Sequence, residues 1–307
     1  MFDRTVAETS AATSLGRLGR FMCSLLAALC LALLATLPAL AQTAQPRTVN
    51  FLSADGKTNL VGYLFAPAGR PKTAPAVVLM HGRGGVYSPR AKGNYSSVTM
   101  NQQIRDWAQL WSAQGYWALV VDSFGPRGVP GGFSAAADRS RPTTLNDVTV
   151  RPLDAYGALR YLRSSPRVRG DRIGIEGWSD GGSAVLATMS AQILPASEAG
   201  KGFRAALAFY PACGLQGRIK MPYVPYGPVR IFMGTRDEGA ATTACQKLAA
   251  ASKAAGGDIA VSVFEDEPHG LDDSGRQRQA VSASAANAAS AEARRQAMAL
   301  FTAVLGR

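Results

Sequence analysis

The sequence predicts an α/β fold: a mostly parallel central sheet with helices on both faces and an antiparallel edge at the N-terminal side. Three observations carry this. Short continuous apolar runs recur along the chain, helical periodicity falls between them, and an Asp-Gly turn joins two strand-like stretches ahead of them all. The 307 residues, 47% hydrophobic and 18% charged, are enough for one large core and exclude disordered, collagen-like and coiled-coil classes.

The N-terminus reads as an address. Arg4, Arg17 and Arg20 precede Phe21 to Leu37, an apolar run interrupted only by Ser24 and Thr36. Pro38 ends that run, and Ala39-Leu40-Ala41 offers the small side chains that a signal peptidase accepts. The expectation is therefore a signal peptide over residues 1–41, a mature domain over 42–307, and a periplasmic or secreted protein with no stable membrane association once the signal is cleaved. A retained anchor is the alternative, because the apolar run is just long enough to span a bilayer. Cleavage removes Cys23 and Cys30 and leaves Cys213 and Cys245 in a compartment where disulfides persist. A Cys213–Cys245 bond is expected, with two buried free thiols as the alternative.

Arg47 to Ser53 and Asn59 to Phe65, joined through Asp55-Gly56, read as a hairpin at the antiparallel edge. The runs Ala76 to Met80, Trp117 to Val121, Ile173 to Ile175, Ala205 to Phe209, Val229 to Met233 and Ile259 to Phe264 read as strands buried on both faces. Between them, Ile104, Trp107, Ala108 and Trp111 follow helical spacing, and Leu153, Tyr156, Gly157 and Arg160 follow it less cleanly, with Leu159 and Leu162 widening that apolar face. Gly181 to Ala191, Thr242 to Ala255 and Ser284 to Leu305 complete the helices; the last is alanine-rich and docks through Met298, Leu300, Phe301 and Leu305. Arg83 to Thr99 and Gly125 to Asn146 break the alternation. Both leave the carboxyl end of a strand, where a sheet of this kind builds its ligand site.

Gly177-Trp178-Ser179-Asp180-Gly181-Gly182 is a G-x-S-x-G sequence between a predicted strand and a predicted helix, which is the context that makes Ser179 a nucleophile. A serine hydroxyl needs an imidazole to take its proton. The chain has two histidines, and the order nucleophile, acid, histidine selects His269 in Pro268-His269-Gly270 and leaves His81 a structural role. A carboxylate between them must hold the imidazole; Asp237, just beyond the Val229 to Met233 strand, is the first choice and Glu238 the reserve. Backbone N–H groups for an oxyanion are expected at Asp180 and, in the glycine-rich His81-Gly82-Arg83-Gly84-Gly85 loop, at Arg83. Arg83 and Arg127 are both expected near the pocket mouth, with Arg127 holding a substrate carboxylate.

Thirty-three Lys and Arg against 21 Asp and Glu give a net charge of +12, which suits any anionic partner and selects none. The arginines are scattered and not interleaved with aromatics, so no nucleic-acid groove is expected. Two distant histidines and two cysteines expected to be oxidised cannot assemble a zinc site, and no nucleotide fingerprint follows the glycine-rich loop; no metal or cofactor is expected.

With these residues in place, the chain resembles an α/β-hydrolase and, within that fold, the exported bacterial members of the dienelactone hydrolase family. The resemblance rests on Val77 to Gly82, Val121 to Gly128, Gly177 to Gly182, Tyr210-Pro211-Ala212-Cys213-Gly214, Gly234-Thr235-Arg236-Asp237 with Cys245 downstream, and Pro268-His269-Gly270, and covers roughly Arg47 to Leu305. It implies hydrolysis of a small ester or lactone, anionic if Arg127 acts as expected, through Ser179, Asp237 and His269. The enzymes that gave the family its name use a cysteine nucleophile, and serine here favours a general carboxylic ester hydrolase. An acyltransferase or serine peptidase with the same triad is the alternative, and a non-catalytic periplasmic binding protein a further one. Nothing in the sequence sets the oligomeric state.

Overall fold

The computed structural model describes residues 45–134, 142–237, 241–273 and 283–306, with side chains from residue 288 in the last segment; all belong to one compact unit. The expected signal peptide, residues 1–41, and Glu238 lie outside the described residues.

Eight strands form one sheet: β1 (Arg47–Leu52), β2 (Asn59–Phe65), β3 (Ala74–Met80), β4 (Trp117–Asp122), β5 (Val168–Trp178), β6 (Ala206–Phe209), β7 (Val229–Arg236) and β8 (Ile259–Pro268). Their order is β1-β2-β4-β3-β5-β6-β7-β8, with β2 antiparallel to both β1 and β4 and every other pairing parallel. The α/β-hydrolase arrangement and its antiparallel N-terminal edge are thus present as expected. At the β1–β2 turn, Asp55 Oδ1 accepts from the N–H groups of Lys57 and Thr58, each at 2.8 Å, while Gly56 takes φ +71°.

Strand order reverses at β3: the chain moves from β3 to β4 on one side and returns to β5 on the other. A doubly wound sheet opens its ligand crevice at such a point. The register pairs Met80 with Gly177, so the loops leaving β3 and β5 emerge side by side.

Helices α1 (Gln102–Ala113), α2 (Arg151–Arg163), α3 (Asp180–Met189), α4 (Ala241–Ala254) and α5 (Ala283–Leu305) pack on this sheet. Alternate residues of β5 show why two faces are covered. Gly174, Glu176 and Trp178 face α1 and α5, where Trp111 and Phe301 meet with ring centroids 5.0 Å apart. Gly177 faces α3, and there Tyr156 of α2 donates to Thr188 O at 2.7 Å. β5 runs well past the Ile173 to Ile175 run because its amino-terminal half, with Arg169, Asp171 and Arg172, is only partly buried.

Cys213, after β6, is bonded to Cys245 on α4 with Cα atoms 5.0 Å apart. The disulfide ties the segment after β6 to the helix that follows Asp237, and both segments reach the site described below.

Glu176 is fully buried in mid-strand. Its Oε2 accepts from Trp111 Nε1 at 2.5 Å, whereas Oε1 has no hydrogen-bond partner among the described residues. Burial pushes this carboxyl well above its ordinary value of 4.5, and Asp272 adds to the effect. The unfolded chain therefore releases the proton at lower pH than the native protein does. Stability from this group is complete below the ordinary value and falls as pH rises, by up to about 1.4 kcal/mol per unit until the native carboxyl ionises. Glu176→Gln should gain thermal stability over the parent progressively as pH rises above the ordinary carboxyl value of 4.5, by roughly 2–4 °C for each kcal/mol relieved. Thermal melts that run parallel above that value would show that the group is not held neutral.

Candidate active site

Ser179 sits between β5 and α3 with φ +54° and ψ −119°, a backbone state that ordinary side chains rarely adopt. The neighbours that allow it have no Cβ. One on Gly177 would stand 2.4 Å from Gly181 O, and one on Gly181 would stand 2.0 Å from Met80 O. The chain turns sharply enough to leave Ser179 Oγ at the carboxyl end of the sheet, next to the first turn of a helix.

His269 leaves β8 and Asp237 leaves β7. His269 Nε2 lies 3.1 Å from Ser179 Oγ, and its Nδ1 lies 2.9 Å from Asp237 Oδ1. A carboxylate can only accept, so Nδ1 carries the proton and Nε2 is left to accept from the serine hydroxyl. The Asp237 side chain is 2% exposed and that of His269 is 27% exposed. The acid is shielded from water while the base opens onto a cleft of about 250 Å³. Asp237 and Ser179, 32 and 90 residues before His269 in the chain, are both brought into contact with it.

The loop after β3 forms the opposite wall. A Cβ on Gly82 would meet Trp178 O at 3.2 Å and Ser179 Cβ at 3.5 Å, so this backbone passes directly over the Ser179 turn. Gly85 N donates to Gly82 O at 3.1 Å, and Phe133 N donates to Arg83 O at 2.8 Å, which ties the loop to the segment after β4. Arg83 lines the cleft, and Asp180 begins α3, where first-turn N–H groups lack helical acceptors.

His81 is fully buried and serves the scaffold. Its Nε2 accepts from Ser123 N at 3.2 Å, its Nδ1 donates to Gly82 O at 2.6 Å, and its ring meets Phe124 edge-on at 4.5 Å. It joins the ends of β3 and β4.

Arg127 corrects an expectation. Its guanidinium forks onto Asp154, with both bonds at 2.8 Å, and donates to Ser123 O at 2.7 Å. It lines a separate depression with Asp122 and Tyr87, not the cleft at Ser179. The arginine lies after a strand end, as the sequence implied, but a fully buried carboxylate on α2 claims its donors. Larger depressions around Arg127 and around Arg172, about 610 and 510 Å³, are lined by no serine, cysteine or histidine among the described residues.

Two further parts of the site escaped the sequence. Tyr210, with φ +38°, packs its ring 4.5 Å from that of His269. Asp272, three residues beyond His269, is fully buried and accepts from Gln103, Tyr210, Trp107 and Trp178. The available signal was the tryptophans: a buried indole N–H needs an acceptor, and an aspartate close to the histidine could have been tested for that role.

The sequence matches the dienelactone hydrolase family over residues 60–305. The chain belongs to that family. Among curated proteins it is 28% identical over 178 residues to the quorum-quenching protein AidA of Acinetobacter baumannii (strain MDR-ZJ06), covering 56% of this chain. The match spans half the length of that relative. Among solved structures, the dienelactone hydrolase-like promiscuous phosphotriesterase P91 from metagenomic libraries superposes with a TM-score of 0.61 at 20% identity, covering 85% of this chain and 98% of that one. Esterase 2 of Thermogutta terrifontis, phosphorylated by paraoxon, gives 0.59 at 18% identity, covering 86% and 97%. At these identities the structures establish the shared fold.

Arg127→Ala separates the scaffold role of this arginine from contact with substrate. It leaves the Asp154 carboxylate buried without its ion pair, at an expected cost of about 3–5 kcal/mol in denaturant unfolding. The ratio of kcat/KM between a dicarboxylic acid monoester and its neutral isostere should stay at the parent value. A changed ratio with unchanged stability would return Arg127 to the substrate.

Proposed function

We propose that this protein is a serine hydrolase that cleaves carboxylic ester or lactone bonds through an acyl-enzyme on Ser179. The observation that carries the reading is the unbroken line from Ser179 Oγ to His269 to the buried Asp237 carboxylate, assembled from the ends of three strands. Oγ attacks the carbonyl carbon while Nε2 takes its proton, and Asp237 stabilises the imidazolium that results. The carbonyl oxygen gains negative charge and is met by the backbone N–H groups of Arg83 and Asp180. Collapse breaks the bond to the alcohol, which leaves with the proton from Nε2. Water, deprotonated by the same nitrogen, then attacks the acyl carbon and releases the acid and Ser179.

The small cleft favours short acyl groups. Arg83 and Asp273 both border the cleft, and we assign any preference for an anionic substrate to Arg83. The protein acts outside the cytosol after loss of residues 1–41, a reading supported by the Cys213–Cys245 bond.

Steady-state kinetics on nitrophenyl esters of increasing acyl length test the proposal. The parent should prefer the shortest acyl groups. Ser179→Ala should lose about 10⁴-fold or more in kcat while retaining the parent's circular dichroism and melting temperature. A folded Ser179→Ala protein with near-parental turnover would remove Ser179 from the chemistry.

A further inference from the structure

Asp272 has more hydrogen bonds than a carboxylate needs merely to be buried. Both of its oxygens are doubly occupied. Oδ1 accepts from Gln103 Nε2 at 2.9 Å and from Tyr210 OH at 2.7 Å; Oδ2 accepts from Trp107 Nε1 at 2.7 Å and from Trp178 Nε1 at 2.8 Å. An indole nitrogen can only donate. Gln103 Nε2 also donates to the Tyr210 oxygen at 2.6 Å, which directs the phenolic proton towards Asp272. Every neighbour therefore offers hydrogen, and a protonated carboxyl would have to give up one of these bonds. Burial pushes this carboxyl above its ordinary value, and the four donors oppose that push.

The four donors come from α1, the end of β5 and the segment after β6, and three of them, Gln103, Trp178 and Tyr210, line the cleft with Ser179 and His269. Trp178 precedes Ser179, and Trp107 and Gln103 belong to the helix beneath the cleft. Tyr210 bridges directly, with its hydroxyl on Asp272 and its ring against His269. His269 follows directly on β8, which ends at Pro268, and the turn after it is closed by Asp273 N donating to Gly270 O at 3.0 Å. His269 meets Asp237 through Nδ1 and the Tyr210 ring across its face, and the hydroxyl of that tyrosine is held by Asp272.

We infer that Asp272 is a positioning residue: its buried carboxylate, gripped by Trp107, Trp178, Tyr210 and Gln103, anchors the turn that follows His269 and sets the imidazole at the distance from Ser179 that proton transfer requires. This rests on the acyl-enzyme reading above. It makes the tryptophans a clamp on the catalytic loop as well as core residues, and it explains why an ionisable group is kept where an apolar one would cost less to bury.

The test combines two variants and two readouts. Asp272→Asn removes the charge and two acceptor sites. Trp107→Phe removes one donor from a residue outside the cleft lining, which keeps the question answerable should Asp272→Asn not fold. A displacement of the imidazole by about 1 Å costs on the order of 100-fold. Asp272→Asn should lose roughly 10- to 100-fold in kcat on a short nitrophenyl ester, and Trp107→Phe roughly 3- to 10-fold, each with KM within about 3-fold of the parent. The second readout is the rate at which a fluorophosphonate labels Ser179, followed by mass spectrometry; it should slow in proportion to kcat while reaching the same one-to-one endpoint. Leu60→Ala, a core variant on β2, supplies a destabilised control that should keep the parent's kcat. Parental kcat and labelling rate in folded Asp272→Asn, or in Trp107→Phe if that is the variant that folds, would overturn the inference alone. Equal kcat losses in Trp107→Phe and Leu60→Ala would also overturn it, by reducing the role to general stability. Failure of the probe to label the parent at Ser179 would instead overturn the acyl-enzyme reading, and the inference with it.

Discussion

The structure around the site depends on one close backbone approach. β5 can turn into α3 beside the end of β3 only because Gly177 and Gly181 have no Cβ; a methyl group on Gly181 would stand 2.0 Å from the Met80 carbonyl oxygen. With that approach allowed, the register of β3 against β5 places the Gly82 loop over Ser179, and the reversal of strand order at β3 opens the crevice in front of both. Ser179 is then held at a positive φ by the geometry on either side of it, and its hydroxyl points where the loops from β7 and β8 can reach it.

Around that turn, the supporting groups divide the work by depth. His269 faces the cleft, with the shielded Asp237 behind it. Below them, Asp272 gathers the Trp107, Trp178, Tyr210 and Gln103 donors, and below that Glu176 accepts from Trp111. The two buried carboxyls differ in what surrounds them: four donors favour charge on Asp272, whereas Glu176 meets a single donor and is pushed towards the neutral acid. The Cys213–Cys245 bond closes the system from the side, linking the Tyr210 segment to the helix after Asp237.

Much of this was legible in the sequence because it depends on local pattern. The apolar runs from Ala76, Trp117, Val229 and Ile259 all fall in strands, as does the Asn59 to Phe65 segment, and G-x-S-x-G identified its own strand, turn and helix. What remained hidden depends on long-range partners. Arg127 follows a strand end, which suggested a pocket arginine, but Asp154 on α2 packs against it and uses its donors. Nothing local marks Asp272 after the last strand; only the fold brings two indoles, a phenol and an amide to it from three other segments. β5 was underestimated because Arg169, Asp171 and Arg172 interrupt its apolar pattern where the strand is only partly covered.

The central claim is that acyl groups pass through a covalent intermediate on the enzyme, and partitioning between two acceptors tests it most directly. A set of esters sharing one acyl group and differing in leaving alcohol is hydrolysed in the presence of methanol, and the ratio of methyl ester to free acid is measured. A common acyl-enzyme forgets its leaving group, so the account predicts the same ratio for every ester in the set. A ratio that changes with the leaving alcohol would mean that water attacks the substrate directly, and would contradict it.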